Sequence, residues 1–248
     1  GYVAAATDPE GATLTYSIPN TGADQAKFNI DPTTGTLTFL TPPDAENPTD
    51  ADGQNDYVVD IQVSDGQNTS VQTVTVDVSD INEAPEFDNT NTLSIAEGAT
   101  SPTLQASVTD PEGDSVTWSI VGGADLSKFG ISSSGELSLN AAQDFENPQD
   151  GNTDNQYLVT IQADDGTNQS TQEVLVDITD VNEAPSFSSG DSSLQNENTT
   201  TTGYVAAATD PEGATLTYSI PNTGADQAKF NIDPTTGTLT FLTPPDAE

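Results

Sequence analysis

The residues of this chain that could do chemistry are almost all carboxylates. Asp and Glu number 40 against three lysines (Lys27, Lys128, Lys229), with no arginine, histidine or cysteine, and the formal net charge is -37 over 248 residues. The acids recur at fixed offsets. Asp-Pro-Glu-Gly begins at Asp8, Asp110 and Asp210, and Asp-Ile-Asn-Glu-Ala-Pro at Asp80 returns as Asp-Val-Asn-Glu-Ala-Pro at Asp180. Such a set offers oxygen ligands and no nitrogen or sulfur ligands from His or Cys. Calcium takes roughly six to eight oxygens from carboxylates, carbonyls and water, so a hard cation of that kind is expected, and zinc, copper and iron sites are disfavoured. Catalysis is poorly served: no Ser/His/Asp or Cys/His grouping can form without histidine, and nothing separates a general acid from a general base among the carboxylates. Nucleic acid and anionic lipid would be repelled by this charge. The expectation is a protein that is not an enzyme, binds no nucleic acid, inserts in no membrane, and has a cationic partner.

The acids must be positioned by the elements between them, and those elements alternate with period two. Tyr157, Val159, Ile161 and Ala163 mark one segment, and Val174, Val176 and Ile178 the next. That is the pattern of a half-buried strand. Six or seven such segments fall in each period of 100 to 102 residues, separated by Gly, Asn, Asp and Pro clusters, which predicts an antiparallel sandwich with an apolar inward face. With no cysteine, core packing and metal must hold it. One helical turn after an Asp cap is expected at Gly22 to Phe28, Gly123 to Phe129 and Gly224 to Phe230. Domain boundaries are expected near Glu83/Ala84 and Glu183/Ala184. Residues 1–46 are identical to residues 203–248. Residues 1–83 therefore read as a domain lacking its first strand, 84–183 as a complete one, and 184–248 as the N-terminal part of a third. A half sandwich exposes its apolar face, so the sequence reads as a window on a longer array, or as ends completed by neighbouring copies.

Together these motifs resemble the cadherin-like repeats, among them those of large bacterial surface adhesins, and the resemblance covers the whole chain. It implies an all-β fold of tandem Ig-like, Greek-key, seven-stranded sandwiches joined end to end, with calcium, up to three ions, at each junction. The strand-ending Glu of the family is similar to Glu97 and Glu197, and its Asp-x-Glu to Asp44/Glu46, Asp144/Glu146 and Asp246/Glu248. Its linker is similar to Asp80-Ile81-Asn82-Glu83-Ala84 and Asp180-Val181-Asn182-Glu183-Ala184. The acids of the following domain match Asp110/Glu112 and Asp210/Glu212, with Asp165 as the later Asp; Asp8, Glu10 and Asp65 stand at the same places in the first repeat. Two departures matter: Glu83 and Glu183 replace a linker Asp, and Ala84 and Ala184 an Asn, where only a main-chain carbonyl could serve. If the residues aligned with one junction converge, Asp44, Glu46, Asp80, Glu83, Asp110, Glu112 and Asp165 bring seven negative charges together. A pair of carboxylates about 4 Å apart repels by roughly 4 kcal/mol at an effective dielectric near 20. No arginine relieves this, so cations must.

A further group, Asp50, Asp52 and Asp56, lies in an Asp-x-Asp-Gly loop that reads either as an additional ion site or as a turn rich in Asp, Asn and Gly. Trp118, Tyr16 and Tyr218 fall on the apolar face of their strands, which favours core aromatics over a sugar-stacking platform. The reading is a calcium-stiffened extracellular spacer or structural repeat at a cell surface. Its alternatives are a homopolymeric filament or homophilic adhesive surface, of the kind found in biofilms, and, from another class, a carbohydrate-binding module.

Overall fold

A computed structural model describes residues 1–99, 104–246 and 248. The chain divides into two compact units: Gly1–Asp88 with Ser107–Thr117 and Ala163–Ser170, and Asn89–Ala106 with Trp118–Gln162 and Thr171–Glu248.

In the first unit a sheet of Thr15–Ser17, Asp56–Ser64 and Thr69–Asp77 is antiparallel throughout. It faces the hairpin Phe28–Ile30 and Leu37–Phe39. The alternation that predicts these strands is what fills the space between the layers. Tyr57, Val59 and Ile61 point inward with Val74, and meet Phe28, Ile30, Leu37 and Ala4 from the other layer. The Tyr57 ring stands edge-on to Phe39 and Phe28, with centroids 5.1 and 6.3 Å apart. Burying an aromatic or branched side chain of this kind stabilises by about 1.5–3 kcal/mol each.

The second unit is built on a four-stranded sheet in the order Thr117–Gly122, Gln156–Asp164, Gln169–Thr179, Thr92–Ala96. Phe129–Ile131, Glu136–Leu139 and Leu104–Gln105 form a three-stranded sheet. Its core is the expected stripe, with Tyr157, Val159, Ile161, Val174, Val176 and Ile178 all nearly inaccessible. Toward its C-terminal end, Thr201–Val205, Thr238–Phe241 and Phe230–Ile232 make another three-stranded sheet.

Two expectations need correction. The sandwich expected over 84–183 is not wholly antiparallel: Thr92–Ala96 runs parallel to Leu175–Thr179. Its first strand is also interrupted, since Glu86–Phe87 pairs separately, antiparallel, with Val108–Thr109. Strand alternation says which side chains face inward but nothing about the direction of a partner, so this pairing has no signature in the sequence. The single helical turns are present as 3-10 turns at Gln25–Lys27, Leu126–Lys128 and Gln227–Lys229, yet Asp24, Asp125 and Asp226 do not cap them through their side chains. Asp24 and Asp125 are instead buried. The Asp125 carboxylate accepts hydrogen bonds from the Gly151 and Leu158 N–H groups at 2.8 and 2.9 Å, and Asp24 accepts from Ala51 and Val58 at 2.7 and 2.8 Å. Gly123 makes this approach possible. At φ +100° it lies so near the neighbouring strand that a Cβ would stand 2.4 Å from both the Leu158 O and the Val159 Cα.

Residues 84–183 carry every alternating segment of a sandwich, and as an excised polypeptide they are expected to fold alone. Circular dichroism in millimolar calcium should show a β spectrum; helix or coil would overturn the assignment.

Candidate metal centre

The linker residues reach the acids through turn geometry that the sequence sets locally. Asp44 Oδ1 accepts from the Glu46 and Asn47 N–H groups at 3.1 and 3.0 Å, closing an Asx turn that presents Glu46. Asp110 Oδ1 accepts from the Asp114 N–H at 2.8 Å across the Pro-Glu-Gly bend and so presents Glu112. Asp210 does the same with Ala214 at 2.9 Å. Asp165 Oδ1 takes the Thr167 and Asn168 N–H groups at 2.6 and 2.7 Å.

These turns gather a first cluster within the first unit. Carboxylate oxygens of Glu46, Asp80, Glu83 and Glu112 all lie within 4.8 Å of one another. Asn82 ties the linker in place: its Nδ2 donates to Asp165 Oδ2 at 3.0 Å and to the Glu83 carbonyl at 2.7 Å, while Asn168 Nδ2 donates to the Asn82 carbonyl at 2.5 Å. The like charges act on one another. Glu83 is pushed up to about 7, first by a hydrogen bond shared with Glu112, then by partial burial and the charges of Glu46, Glu112 and Asp80.

A second cluster repeats the arrangement within the second unit. Glu97, Asp144 and Glu146 form one group, and Glu146, Asp180 and Glu212 another, so Glu146 belongs to both. Glu97 is fixed at both oxygens, accepting from the Phe145 N–H at 2.8 Å and the Val181 N–H at 2.7 Å. The Glu183 N–H donates to Glu212 Oε1 at 2.8 Å. Glu183 is pushed up to about 7, first by its side-chain contact with Glu212 and then by partial burial and the charges of Glu97, Glu146 and Glu212. The same contact, with the Glu183 N–H, draws Glu212 down to about 2. Burial and then the charges of Glu97, Asp180 and Glu212 raise Glu146.

The donor set fits a hard cation. Asp110 Oδ2, Glu112 Oε2, Glu183 Oε2 and Glu212 Oε2 are inaccessible to water yet have no hydrogen-bond partner. Carboxylate oxygens in that state are costly unless a cation takes them.

Other candidates fall elsewhere. Asp50, Asp52 and Asp56 bring their oxygens within 4.8 Å, but Asp50 is also spent on the backbone, accepting from Gln54 and Asn55. Asp8 accepts from the Glu10 and Ala12 N–H groups, and Asp65 from Gln67 and Asn68, so both close turns of their own. Asp8, Glu10, Asp65 and Glu197 join none of the acidic groups found among the described residues. Ile81 and Val181 are exposed on the linkers; Ala84 is half-buried and Ala184 exposed. Sequence reasoning missed Asn168, whose only signal is the Asp-Gly-x-Asn spacing it shares with Asn68.

No family model matches the chain. Over 99% of its length it is 29% identical to Cadherin-related family member 1 of Xenopus laevis, and over 43% it is 40% identical to human Protocadherin-15. It spans 30% and 5% of the lengths of those two proteins. Among solved structures, mouse Cadherin-23 EC22-24 superposes with a TM-score of 0.54 at 21% identity, covering 98% of this chain and 80% of that one. The extracellular cadherin domains 1-5 of Protocadherin Gamma B2 give 0.55 at 22% identity, covering 96% and 48%. The fold is that of tandem cadherin extracellular domains. The sequence relatives and the structural neighbours are alike cadherins by name.

Proposed function

We propose that this chain is a calcium-stiffened spacer at a cell surface, and that the two acidic clusters are its ion sites. The observation that carries the reading is the convergence of Glu46, the linker acids Asp80 and Glu83, and Glu112 of the following repeat within 4.8 Å, in a chain with no arginine to neutralise them. Glu46, Asp80, Glu83 and Glu112 would hold the ion at the first junction, with Asp110 beside them. Glu97, Asp144, Glu146, Asp180, Glu183 and Glu212 would hold it at the second. Bound calcium supplies positive charge to oxygens that otherwise repel. The chain's own part is geometric: the Asx turns aim the acids, and Asn82 and Asn168 hold the first linker against the Asp165 loop. With up to three ions at each junction, the linker is tied from both sides and loses its freedom to bend.

The names of the relatives support an extracellular place and a role in adhesion or in structural repeats, and no helix among the described residues is long and apolar enough to cross a membrane. Those relatives are animal proteins, whereas the resemblance stated from sequence is to bacterial adhesins. The spacer role is common to both and is the one we propose. The absence of histidine and cysteine supports a non-enzymatic role. Trp118 is half-buried with its ring close over Gly135, where a Cβ would stand 2.9 Å from Cε2, which gives no support to a sugar platform.

Calorimetric titration of the full chain tests the assignment. Glu146→Gln should weaken calcium at the second junction by at least the about 10- to 100-fold typical of changes around a metal, and leave the first unaltered. Equal binding by the variant and the parent would remove Glu146 from the site.

A further inference from the structure

The first repeat and the middle repeat, 84–183, finish the same edge of the same sheet differently. In the first, the strand Thr15–Ser17 is three residues long and Pro19 stands just beyond it. Its sequence Tyr16-Ser17-Ile18-Pro19 returns as Tyr218-Ser219-Ile220-Pro221 in the third repeat, but as Trp118-Ser119-Ile120-Val121 in the middle one. There the strand runs on for six residues, Thr117–Gly122. Proline has no N–H to offer and is one of the residues by which sheet edges are blunted. Of the three repeats, the middle one alone lacks it.

The unblunted strand lies at an open edge. Its sheet runs in the order Thr117–Gly122, Gln156–Asp164, Gln169–Thr179, Thr92–Ala96, so no described strand stands beyond it. The first repeat shows which groups face outward, because there the Tyr16 N–H turns away from the neighbouring strand to the Pro32 carbonyl at 3.0 Å. In an antiparallel ladder the N–H and C=O of one residue point to one side and those of the next to the other. Ile120 and Gly122, two and four positions after the counterpart of Tyr16, therefore turn their main chain outward. Between them Val121 is 49% exposed, and Leu126, in the turn that follows, is 48% exposed. The first repeat has Pro19 and Gln25 at those places. Residues 115–124 carry no charge, in a chain whose net charge is -37.

We propose that Thr117–Gly122 pairs with the same strand of a second copy of this chain, antiparallel, about a two-fold axis at Val121. The occupant follows from the edge itself. A partner strand must bring no carboxylate to it and must have an unblunted edge of its own, and Thr117–Gly122 meets both conditions. A contact of one strand with its own twin is isologous and closes at two copies. With the axis at Val121, Ile120 faces Gly122 of the second copy and Gly122 faces its Ile120, each pair exchanging two N–H···O bonds. The two Val121 residues then form the non-hydrogen-bonded pair between them, with Cα atoms about 4.5 Å apart and side chains in contact. The contact is small, so the association is weak. It uses none of the acids of the two clusters and so stands apart from the calcium reading.

The absence of cysteine lets a symmetric disulfide report the register on the full chain. Val121→Cys, held at high concentration in a glutathione redox buffer with calcium and salt at about 0.15 M, where charge is screened beyond about 8 Å, should accumulate a disulfide-linked dimer. Ser119→Cys should give at least about tenfold less, since its twins lie four positions out of register, about 13 Å along the strand and too far to bridge. Sedimentation velocity of the parent should show a dimer that grows with concentration. Val121→Pro, which installs the residue of the first repeat, should weaken it at least about tenfold, while the urea transition of Trp118 fluorescence shows the repeat still folded. Val121→Lys, at an exposed position, should weaken it as much, even though it reduces the net negative charge and would favour non-specific association. A chain that stays monomeric at every concentration, equal crosslinking through positions 119 and 121, or a dimer that survives both Val121→Pro and Val121→Lys would each overturn the proposal.

Discussion

Asp125→Ala is expected to cost the middle repeat about 3–5 kcal/mol, moving its urea transition to far lower denaturant. Asp125 is 4% exposed, and both its oxygens are spent on main-chain N–H groups of the loop and strand beside it, Gly151 and Leu158. Truncation removes two charge-assisted bonds and leaves two partly buried donors without partners, each worth about 1–3 kcal/mol. Trp118 is the only tryptophan and lies in this repeat, so its fluorescence reports the transition without dissecting the chain. The controls are built into the sequence. Asp24→Ala should unfold the first repeat while leaving the Trp118 transition in place, and Asp226→Ala, at an exposed position, should be close to neutral. An Asp125→Ala transition that coincides with the parent's would show that the carboxylate is not a structural acceptor.

This buried Asp illustrates how much the sequence discloses and where it stops. The alternation of Tyr157, Val159, Ile161 and Ala163 gives the strand and its inward face directly, because side-chain period and burial are one local property. Recurrence of Asp80 at Asp180, and of Glu112 at Glu212, marks acids that meet. Nothing local distinguishes Asp125 from them. An Asp just before a helical turn reads as a cap, and only the nearness of Leu158, admitted by Gly123, turns its carboxylate toward another strand. Asn168 was invisible for the same reason, since its partner Asn82 lies 86 positions away. The parallel pairing of Thr92–Ala96 depends on which strand lies alongside. Most plainly, residues 217–219 repeat Thr15–Ser17 letter for letter and are not strand, so strand formation here belongs to the partner as much as to the sequence.

Calcium removal should have the other large effect, and of a different kind: stability falls and the junctions loosen while the sandwiches persist. A ligand that binds only the native state stabilises it by RT ln(1 + [Ca]/Kd), about 2.7 kcal/mol at a hundredfold excess over Kd. That is large against a domain's net stability of roughly 5–15 kcal/mol without being all of it. The separation follows from position. Glu46, Asp80, Glu83 and Glu112 sit on loops and linker, whereas the buried stripe from Tyr57 to Val74 contains no carboxylate. Asp80→Asn with Glu83→Gln should loosen the first junction alone, because the second draws on Glu97, Asp144, Glu146, Asp180 and Glu212. Magnesium demands near-octahedral geometry and keeps its waters, so it should not substitute at equal concentration.

Small-angle scattering of the full chain, with calcium and after chelation, tests the central claim most directly, with circular dichroism read on the same samples. If calcium clamps the acids across each linker, chelation should shorten the maximum dimension and broaden the distribution of distances while the β spectrum remains, and the Asp80→Asn, Glu83→Gln chain should show an intermediate loss even in calcium. Identical scattering with and without the ion, or equal stiffening by magnesium, would contradict the account.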